Sequence, residues 1–258
     1  MYEENEAFNI REQKKGMKNE RMRKDREVFK VRDGVFDKST MLILYDLIKA
    51  EKLESVEGIV STGKEANVFW GYTPDELEVA IKIHRITAST FRNLWEYLIQ
   101  DPRFKDIRKN HRHVVFGWAR REYKNLSRLI DVVPIPKPLF VKGNVLVMEF
   151  LGREGVAFPR LKEVGSEDPE ADLGTILGYI KKMYGKGIVH ADLSEYNILT
   201  GEDGMSIIDF SQGTVVQNPN AREFLYRDIE NILRFFSKFI EVPSVGSVYD
   251  GIVVKDDE

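Results

Sequence analysis

The sequence predicts an α+β protein of two lobes, a β-rich lobe before a mainly helical one, with a cleft between them. Three observations carry this. From Leu53 onward, apolar residues alternate with a period of two in successive short runs. Helical spacing takes over in the last third of the chain. Between these regions Gly152 and Gly155 mark a change of character that fits a hinge.

In chain order, the stretch from Arg11 to Arg32 is strongly basic and acid-poor, either a solvated, partly helical arm or one that faces nucleic acid. Lys38–Lys49 has helical spacing (Met41, Leu44, Tyr45, Ile48), with Ser39 or Thr40 as N-cap. Strands are expected near Ser55–Val60, Asn67–Tyr72 and Leu77–His84, broken by Ser61–Lys64 and Thr73–Asp75. Helical spacing returns at Thr90–Ile99. Arg103–His113 is polar, basic and aperiodic, which predicts an exposed, mobile insertion. A helix should run from about Val115 to Ile130. The prolines of Val132–Pro138 exclude a helix there, and strands follow near Pro138–Val141 and Val145–Phe150. Past the hinge, Leu173, Ile176, Leu177, Ile180, Met183 and Tyr184 line one face of a helix ending at Gly185/Gly187. Two short β segments should carry Asn197 and Asp209, and a last helix should span Ala221–Phe239. The tail Lys255–Glu258 is expected to be disordered, and no internal repeat is visible. The organisation is thus a basic arm and helical extension over 1–50, an N-lobe over 51–151 with a flexible insertion near 84–113, and a C-lobe over 152–258.

Composition narrows the classes. Hydrophobic residues at 42% and charged residues at 31% match a soluble globular chain. A net charge of −3 exerts no chain-wide pull on nucleic acid or anionic membrane. Without Cys there are no disulfides, thiolate metal sites or Cys nucleophiles. The opening residues Met1–Glu6 lack a basic n-region and an apolar h-region. No apolar run approaches the roughly 20 residues that span a bilayer. These features predict a cytoplasmic protein with no membrane partner.

The chemistry centres on Ile188–Thr200, which leaves a helix and enters a polar loop holding Asp192 and Asn197. Asp209 follows the β-like run Met205–Ile208. An Asp able to take a proton, then an Asn and an Asp able to hold a divalent cation, is what phosphoryl transfer from ATP requires. Upstream, Val79, Ile81 and Ile83 share one strand face, so Ala80 and Lys82 share the other. Ala119, Glu122 and Leu126 share one helix face. An inward carboxylate needs a partner, because an unpaired buried charge costs several kcal/mol. A Lys82–Glu122 pair would satisfy both. Ser61-Thr-Gly-Lys64 is a turn that could offer N–H groups and hydroxyls to phosphates, and a flap over a nucleotide is the preferred reading, with an unliganded hairpin as the alternative for this stretch taken alone. The match of Gly58–Lys64 to the start of a Walker A loop fails twice: Glu65 replaces the Ser/Thr, and β-type sequence follows.

These residues resemble motifs of the protein-kinase superfamily, and within it the RIO family of atypical kinases, over roughly Ser39 to Phe239. Ser61-Thr-Gly-Lys-Glu-Ala-Asn-Val68 resembles that family's phosphate-binding loop and points to its first branch; Ala80-Ile-Lys82 resembles its nucleotide lysine. Trp118–Leu126 resembles the helix with the paired Glu, His190–Asn197 the catalytic loop, and Ile207–Gly213 the metal-binding loop. The resemblance implies a two-lobed protein-kinase-like fold with a reduced C-lobe. It also implies that ATP and Mg²⁺, with Mn²⁺ able to stand in, are the cofactors. Lys82, fixed by Glu122, would bind the α/β-phosphates; Asn197 and Asp209 would hold the metal; Asp192 would orient or deprotonate the attacking group. Ser61, Thr62, Gly63 and Lys64 would form the flap. Met148 would border the adenine, the Glu149 and Leu151 backbones would hydrogen-bond it, and Val68, Ala80 and Ile208 would supply apolar walls.

Departures from ordinary protein kinases matter too. Ala191 follows His190 where they carry an Arg, and Ser194 stands where they carry a Lys near the γ-phosphate. After Asp209 fewer than 50 residues remain, with one clear helix and no Ala-Pro-Glu motif, too little for a peptide-binding platform. The resemblance therefore implies weak Ser/Thr kinase activity, autophosphorylation, and ATP hydrolysis through an aspartyl-phosphate on Asp209, acting in maturation of the small ribosomal subunit. Its partners would be rRNA and ribosomal proteins of the precursor, met by the basic arm and Arg103–His113, or else those loops are simply solvated. Two rival functions are an ATP-gated binding module with little turnover and a small-molecule phosphotransferase.

Overall fold

The computed structural model describes residues 36–85, 94–95, 97–104, 107 and 109–253. The basic arm over 11–32, the tail over 255–258 and part of the helix expected at 90–99 lie outside the described residues; residues 97–100 are helical.

Helix α1 (Lys38–Lys49) opens the described chain. Its cap is Asp37, not Ser39 or Thr40 as expected. The Asp37 carboxylate accepts the Ser39 and Thr40 N–H groups at 2.9 and 3.1 Å, and both hydroxyls as well. A carboxylate also complements the positive helix end, which a hydroxyl does not. Five strands then form one antiparallel sheet: β1 (Ser55–Thr62), β2 (Ala66–Tyr72), β3 (Glu78–His84), β4 (Pro138–Lys142) and β5 (Val145–Glu149), in the order β1-β2-β3-β5-β4. Side chains alternate across it as the period of two demands. Phe69, Val79, Ile81, Ile83, Val145 and Val147 pack under Leu44 and Leu47 of α1. Ala80, Leu146 and Met148 join the opposite core, with Leu126 and Leu129 of helix α2 (His111–Leu129). Helix α2 begins four residues before the expected Val115, capped by the Asn110 side chain.

The stretch before α2 is not simply exposed. Asp101, just before a short 3₁₀ turn (Pro102–Phe104), and Phe104, its last residue, are buried, and Phe104 packs with Leu98, Val114 and Trp118. Phe104 is one apolar residue among charges, so no periodicity reveals it.

Past Leu151 come the two-residue strands β6 (Gly152–Arg153) and β7 (Val156–Ala157), then α3 (Leu161–Val164) and α4 (Pro169–Gly185). Strand β8 (Ile188–Val189) pairs with β11 (Thr214–Val215), and β9 (Ile198–Gly201) with β10 (Gly204–Ile207). Asn197 and Asp209 sit just outside that β9–β10 hairpin. Helix α5 (Ala221–Phe236) stops three residues short of Phe239, and a further helix, α6 (Val245–Val253), packs on it. So the residues after Asp209 build two helices rather than one. With two Gly and three Val, α6 has poor intrinsic propensity, and packing on α5 decides its form. No described helix is long and apolar enough to cross a membrane.

Leu47 and Leu42 lie on opposite faces of α1, at 3% and 60% exposure. Leu47→Ala is expected to cost about 2–5 kcal/mol, and Leu42→Ala less than about 0.5. Urea unfolding midpoints of the two variants check this; equal losses would mean that α1 does not seal the sheet.

Candidate active site

Lys82 projects from β3 on the face opposite α1 and is 6% exposed. Its ammonium donates to Glu122 Oε1 at 2.7 Å and to Asp209 Oδ1 at 2.6 Å. Three groups separated by 40 and 127 residues thus meet at one nitrogen. Burial alone would lower the Lys82 pKa, but the charges of Asp209 and Glu122 outweigh it and hold it above the ordinary lysine value. Burial likewise works to raise the Asp209 pKa, yet Lys82 and the Ser211 hydroxyl, 2.8 Å from Oδ1, hold it well below the usual carboxylate range. His84, two residues along β3, places Nε2 3.2 Å from the second Glu122 oxygen.

The loop before β9 is held from beneath. Ala191 has a φ of +67°, unusual for a residue with a Cβ. The Asp228 carboxylate on α5 accepts the N–H groups of Ala191 and Leu193, each at 2.8 Å. Arg227 donates to the Ala191 carbonyl, and Asn231 to that of Leu193 at 3.1 Å. Burial pushes the Asp228 pKa up to about 7, against the pull of its two N–H donors and Arg227. So gripped, the loop presents Asp192 to solvent, where Gln212 Nε2 lies 3.2 Å from Oδ2. Partial burial and then the charge of Asp209 push the Asp192 pKa up to about 6. Asn197 donates its Nδ2 to the Asp192 carbonyl at 2.9 Å, which leaves its Oδ1 as a donor atom for a cation.

Asn197 and Asp209 are joined through backbone. The Ile208 N–H donates to the Asn197 carbonyl at 2.9 Å, placing Asp209 one residue from the crossing. His190 is buried and its pKa is lowered by burial, so the neutral ring donates Nε2–H to the Ile208 carbonyl at 3.0 Å. Asp209 itself has a φ of +65°. The loop after it is pinned by α2: Arg121 donates to the Gln212 and Gly213 carbonyls, and Asn125 to those of Phe210 and Gly213. Among the described residues no cluster of three or more His, Asp or Glu forms a metal cage. One carboxylate plus one amide oxygen suits a hard cation that takes its remaining ligands from phosphates and water, as Mg²⁺ does.

Ser61 and Thr62 are the last residues of β1, which runs two residues past the expected Val60 and pairs them with Val68 and Asn67, and Gly63 and Lys64 enter the turn to β2. The Gly63 N–H donates to the Ala66 carbonyl at 2.9 Å, and a Cβ on Gly63 would approach that oxygen equally closely. Strand β2, not a helix, follows, so the Walker A resemblance is accidental. Burial and then the charge of Asp209 push the Glu65 pKa up, so the flap shares the field of the site. Val68 stands opposite Lys82 and Ala80 opposite Met148 in the sheet register; Ile208 is half-buried. In the connection to the C-lobe, Glu149 N–H donates to Lys137 O at 2.8 Å, and Leu151 O accepts from Phe158 N–H at 3.0 Å. The hydrogen bonds a base edge could make here therefore fall to the Glu149 carbonyl and the Leu151 N–H.

Sequence patterning passes over the residues that hold these loops: Asp228, Arg227, Arg121 and Asn125. For Asp228 a signal existed, since it falls in the apolar stripe Phe224, Leu225, Ile229, Ile232 and so had to be buried.

Residues 67–246 match the RIO domain profile. The RIO-type serine/threonine-protein kinase Rio1 of Haloferax volcanii is 42% identical over 220 residues, covering 84% of this chain and 76% of that protein. Its namesake in Methanocaldococcus jannaschii is 38% identical over 220 residues, covering 85% and 76%. The fold resembles the crystal structure of the Rio2 kinase–ADP/Mg²⁺–phosphoaspartate complex from Chaetomium thermophilum, with a TM-score of 0.62 at 21% identity, covering 84% of this chain and 67% of that one. With a RIO domain over most of its length, a protein-kinase-like fold and relatives of this kind, the chain belongs to the RIO family and is an enzyme of the RIO-type serine/threonine-protein kinase class.

Proposed function

We propose that this chain binds Mg-ATP in the cleft beside Lys82 and passes the γ-phosphoryl group to Asp209 and then to water, with weak Ser/Thr phosphorylation and autophosphorylation alongside. The observation that supports this best is the Lys82 ammonium shared between Glu122 and Asp209, because a lysine there can move to a phosphate without losing its buried partner. A carboxylate oxygen of Asp209 attacks the γ-phosphorus, the bond to the bridging β-phosphate oxygen breaks, and ADP leaves with that electron pair. Asp192 then orients a water and takes its proton as the water attacks the acyl-phosphate, which breaks to inorganic phosphate and the Asp209 carboxylate. For protein substrates Asp192 takes the proton of a Ser or Thr hydroxyl instead. Asn197 and Asp209 would hold Mg²⁺ (or Mn²⁺), which neutralises charge developing on the β- and γ-oxygens. Ser61, Thr62, Gly63 and Lys64 would cover the phosphates; Val68, Ala80, Met148 and Ile208 would flank the adenine, with Glu149 and Leu151 at its edge.

The Rio2 relative's phosphoaspartate supports the choice of an Asp acceptor. The setting we propose is cytoplasmic maturation of the small ribosomal subunit, on family resemblance. Of the basic segment offered to rRNA, Arg103 is already committed to Asp101 and Asn125, so that role falls to exposed Lys109, Arg112 and His113 and to the N-terminal arm.

Mass spectrometry after incubation with Mg-ATP tests the acceptor. An adduct on Asp209 that hydroxylamine removes is expected, and phosphate confined to Ser and Thr would rule the acyl-phosphate out. Asp192→Ala should slow turnover by about 10²–10⁴-fold while ATP still binds; undiminished hydrolysis would remove Asp192 from the mechanism. Because the ionised Asp192 is the active form, kcat/KM should fall as pH drops through about 6. A plateau persisting to pH 5 would contradict that assignment.

A further inference from the structure

The segment before α2 reaches the metal-side loop through buried charge. Asp101 and Arg121 are both fully buried. The Asp101 carboxylate accepts from Arg103 Nε at 2.9 Å and Nη2 at 2.6 Å, and lies 3.5 Å from Arg121 Nε. Arg121 donates Nε to Gly213 O at 2.9 Å and Nη2 to Gln212 O at 2.8 Å. Arg103 Nη1 donates to Asn125 Oδ1 at 2.9 Å, and Asn125 Nδ2 reaches Phe210 O at 2.9 Å and Gly213 O at 2.7 Å. The same segment spans both lobes. Tyr97 packs its ring against Trp118 of α2 and Phe224 of α5, and Gln100 accepts from Asn220 at 2.9 Å.

We propose that Asp101 and Arg121 are positioning residues for Asp209, the carboxylate fixing the guanidinium that in turn holds the Gln212 and Gly213 carbonyls. A guanidinium taken wholly out of water requires a counter-charge. Asp101 is the carboxylate within ion-pair range of Arg121 among the described residues. Losing that charge makes the guanidinium turn toward water, so the Gln212 carbonyl loses its side-chain donor and the Gly213 carbonyl keeps only Asn125. Arg121 is the neighbour of Glu122, so the strut ties the Lys82 partner on α2 and the loop of Asp209 to one anchor. In kinases whose activation loop is ordered by phosphorylation, new Arg–phosphate pairs do the ordering. Here a carboxylate of the chain itself, Asp101, stands within ion-pair range of the arginine that holds the loop. This rests on the role proposed for Asp209, but its test does not depend on turnover alone.

In the full chain, Asp101→Asn should raise the Mg²⁺ concentration for half-maximal ATP turnover by about 10- to 100-fold and lower kcat, leaving metal-free ADP affinity as in the wild type. Amide hydrogen exchange at residues 211–213 should quicken, while the β-sheet amides keep their protection. Arg103→Gln, which loosens the same carboxylate from its partly exposed side, should give a milder version and serves where Asp101→Asn does not fold. Asp101→Glu, keeping the charge, should restore part of both signals. Unchanged exchange at 211–213 in a folded variant overturns the proposal, as does a loss of ADP affinity that matches the loss of kcat. A wild type that turns over no ATP would instead sink the role given to Asp209, and the exchange measurement would still decide this one.

Discussion

The buried ammonium of Lys82 organises the cleft. Lys82 cannot sit at 6% exposure without counter-charges, and those it uses come from a helix and from a loop of the other lobe. The two partners are unequal. The Glu122 side chain is 1% exposed, whereas that of Asp209 is 42% exposed. Breaking a fully buried pair typically costs about 3–5 kcal/mol, because the surviving charge cannot reach water. The Glu122 contact is therefore the fixed one. The Asp209 contact lies where solvent or a ligand's oxygens can compete, and Asp209 also has Ser211 to rely on. The geometry supports a lysine that stays anchored at one end while exchanging partners at the other.

Around that cation the chain accepts backbone strain at two residues that carry a Cβ. Ala191 and Asp209 both have positive φ, a conformation that costs of order 1–3 kcal/mol and persists only when its surroundings over-determine it. At Ala191 the surroundings are Asp228 and Arg227, which fix its N–H and its carbonyl from one helix. At Asp209 they are Lys82 and Ser211 on the side chain, with α2 gripping the residues that follow. His190 links the two loops through Ile208. Helix α5 thus serves the loop of Asp192 and α2 that of Asp209, and the strain in each lies at, or next to, a carboxylate proposed to act in the transfer.

The parts that could be read from the sequence are those that obey a period. A period of two separated Lys82 from Ile81 and Ile83, and helical spacing put Glu122 inward with Ala119 and Leu126. Partners 40 residues apart could then be paired by charge alone. Asp192, Asn197 and Asp209 stand out in the sequence by type and order alone, and the roles given to them are those proposed above. What stayed hidden depends on contacts that patterning does not describe. Phe104 lies in the aperiodic charged stretch and is buried by packing on Val114 and Trp118 of α2, and Asp101 just before it is held by Arg103. Asp228 sat in an apolar stripe as its one polar member, and only the rule that buried charge needs donors points to its partners. Helix α6 opposes its own propensities, and Asp37 displaced the hydroxyl caps because a carboxylate could accept from both N–H groups and both hydroxyls.

The concentration of buried charge follows from where regular structure stops. Ion pairs of this kind are weak contributors to stability, and apolar replacements of similar volume are often neutral or better. Yet the carbonyls of Phe210, Gln212 and Gly213 lie between β10 and β11, outside any ladder, at two buried residues and one half-buried one, and need donors there. An apolar side chain on α2 could fill the space but could not donate. Arg121 and Asn125 can, and a buried Arg121 then requires Asp101. The site's need for an irregular, strained loop beside the lysine thus propagates outward as a chain of obligatory polar partners, and ends where Arg103 reaches solvent.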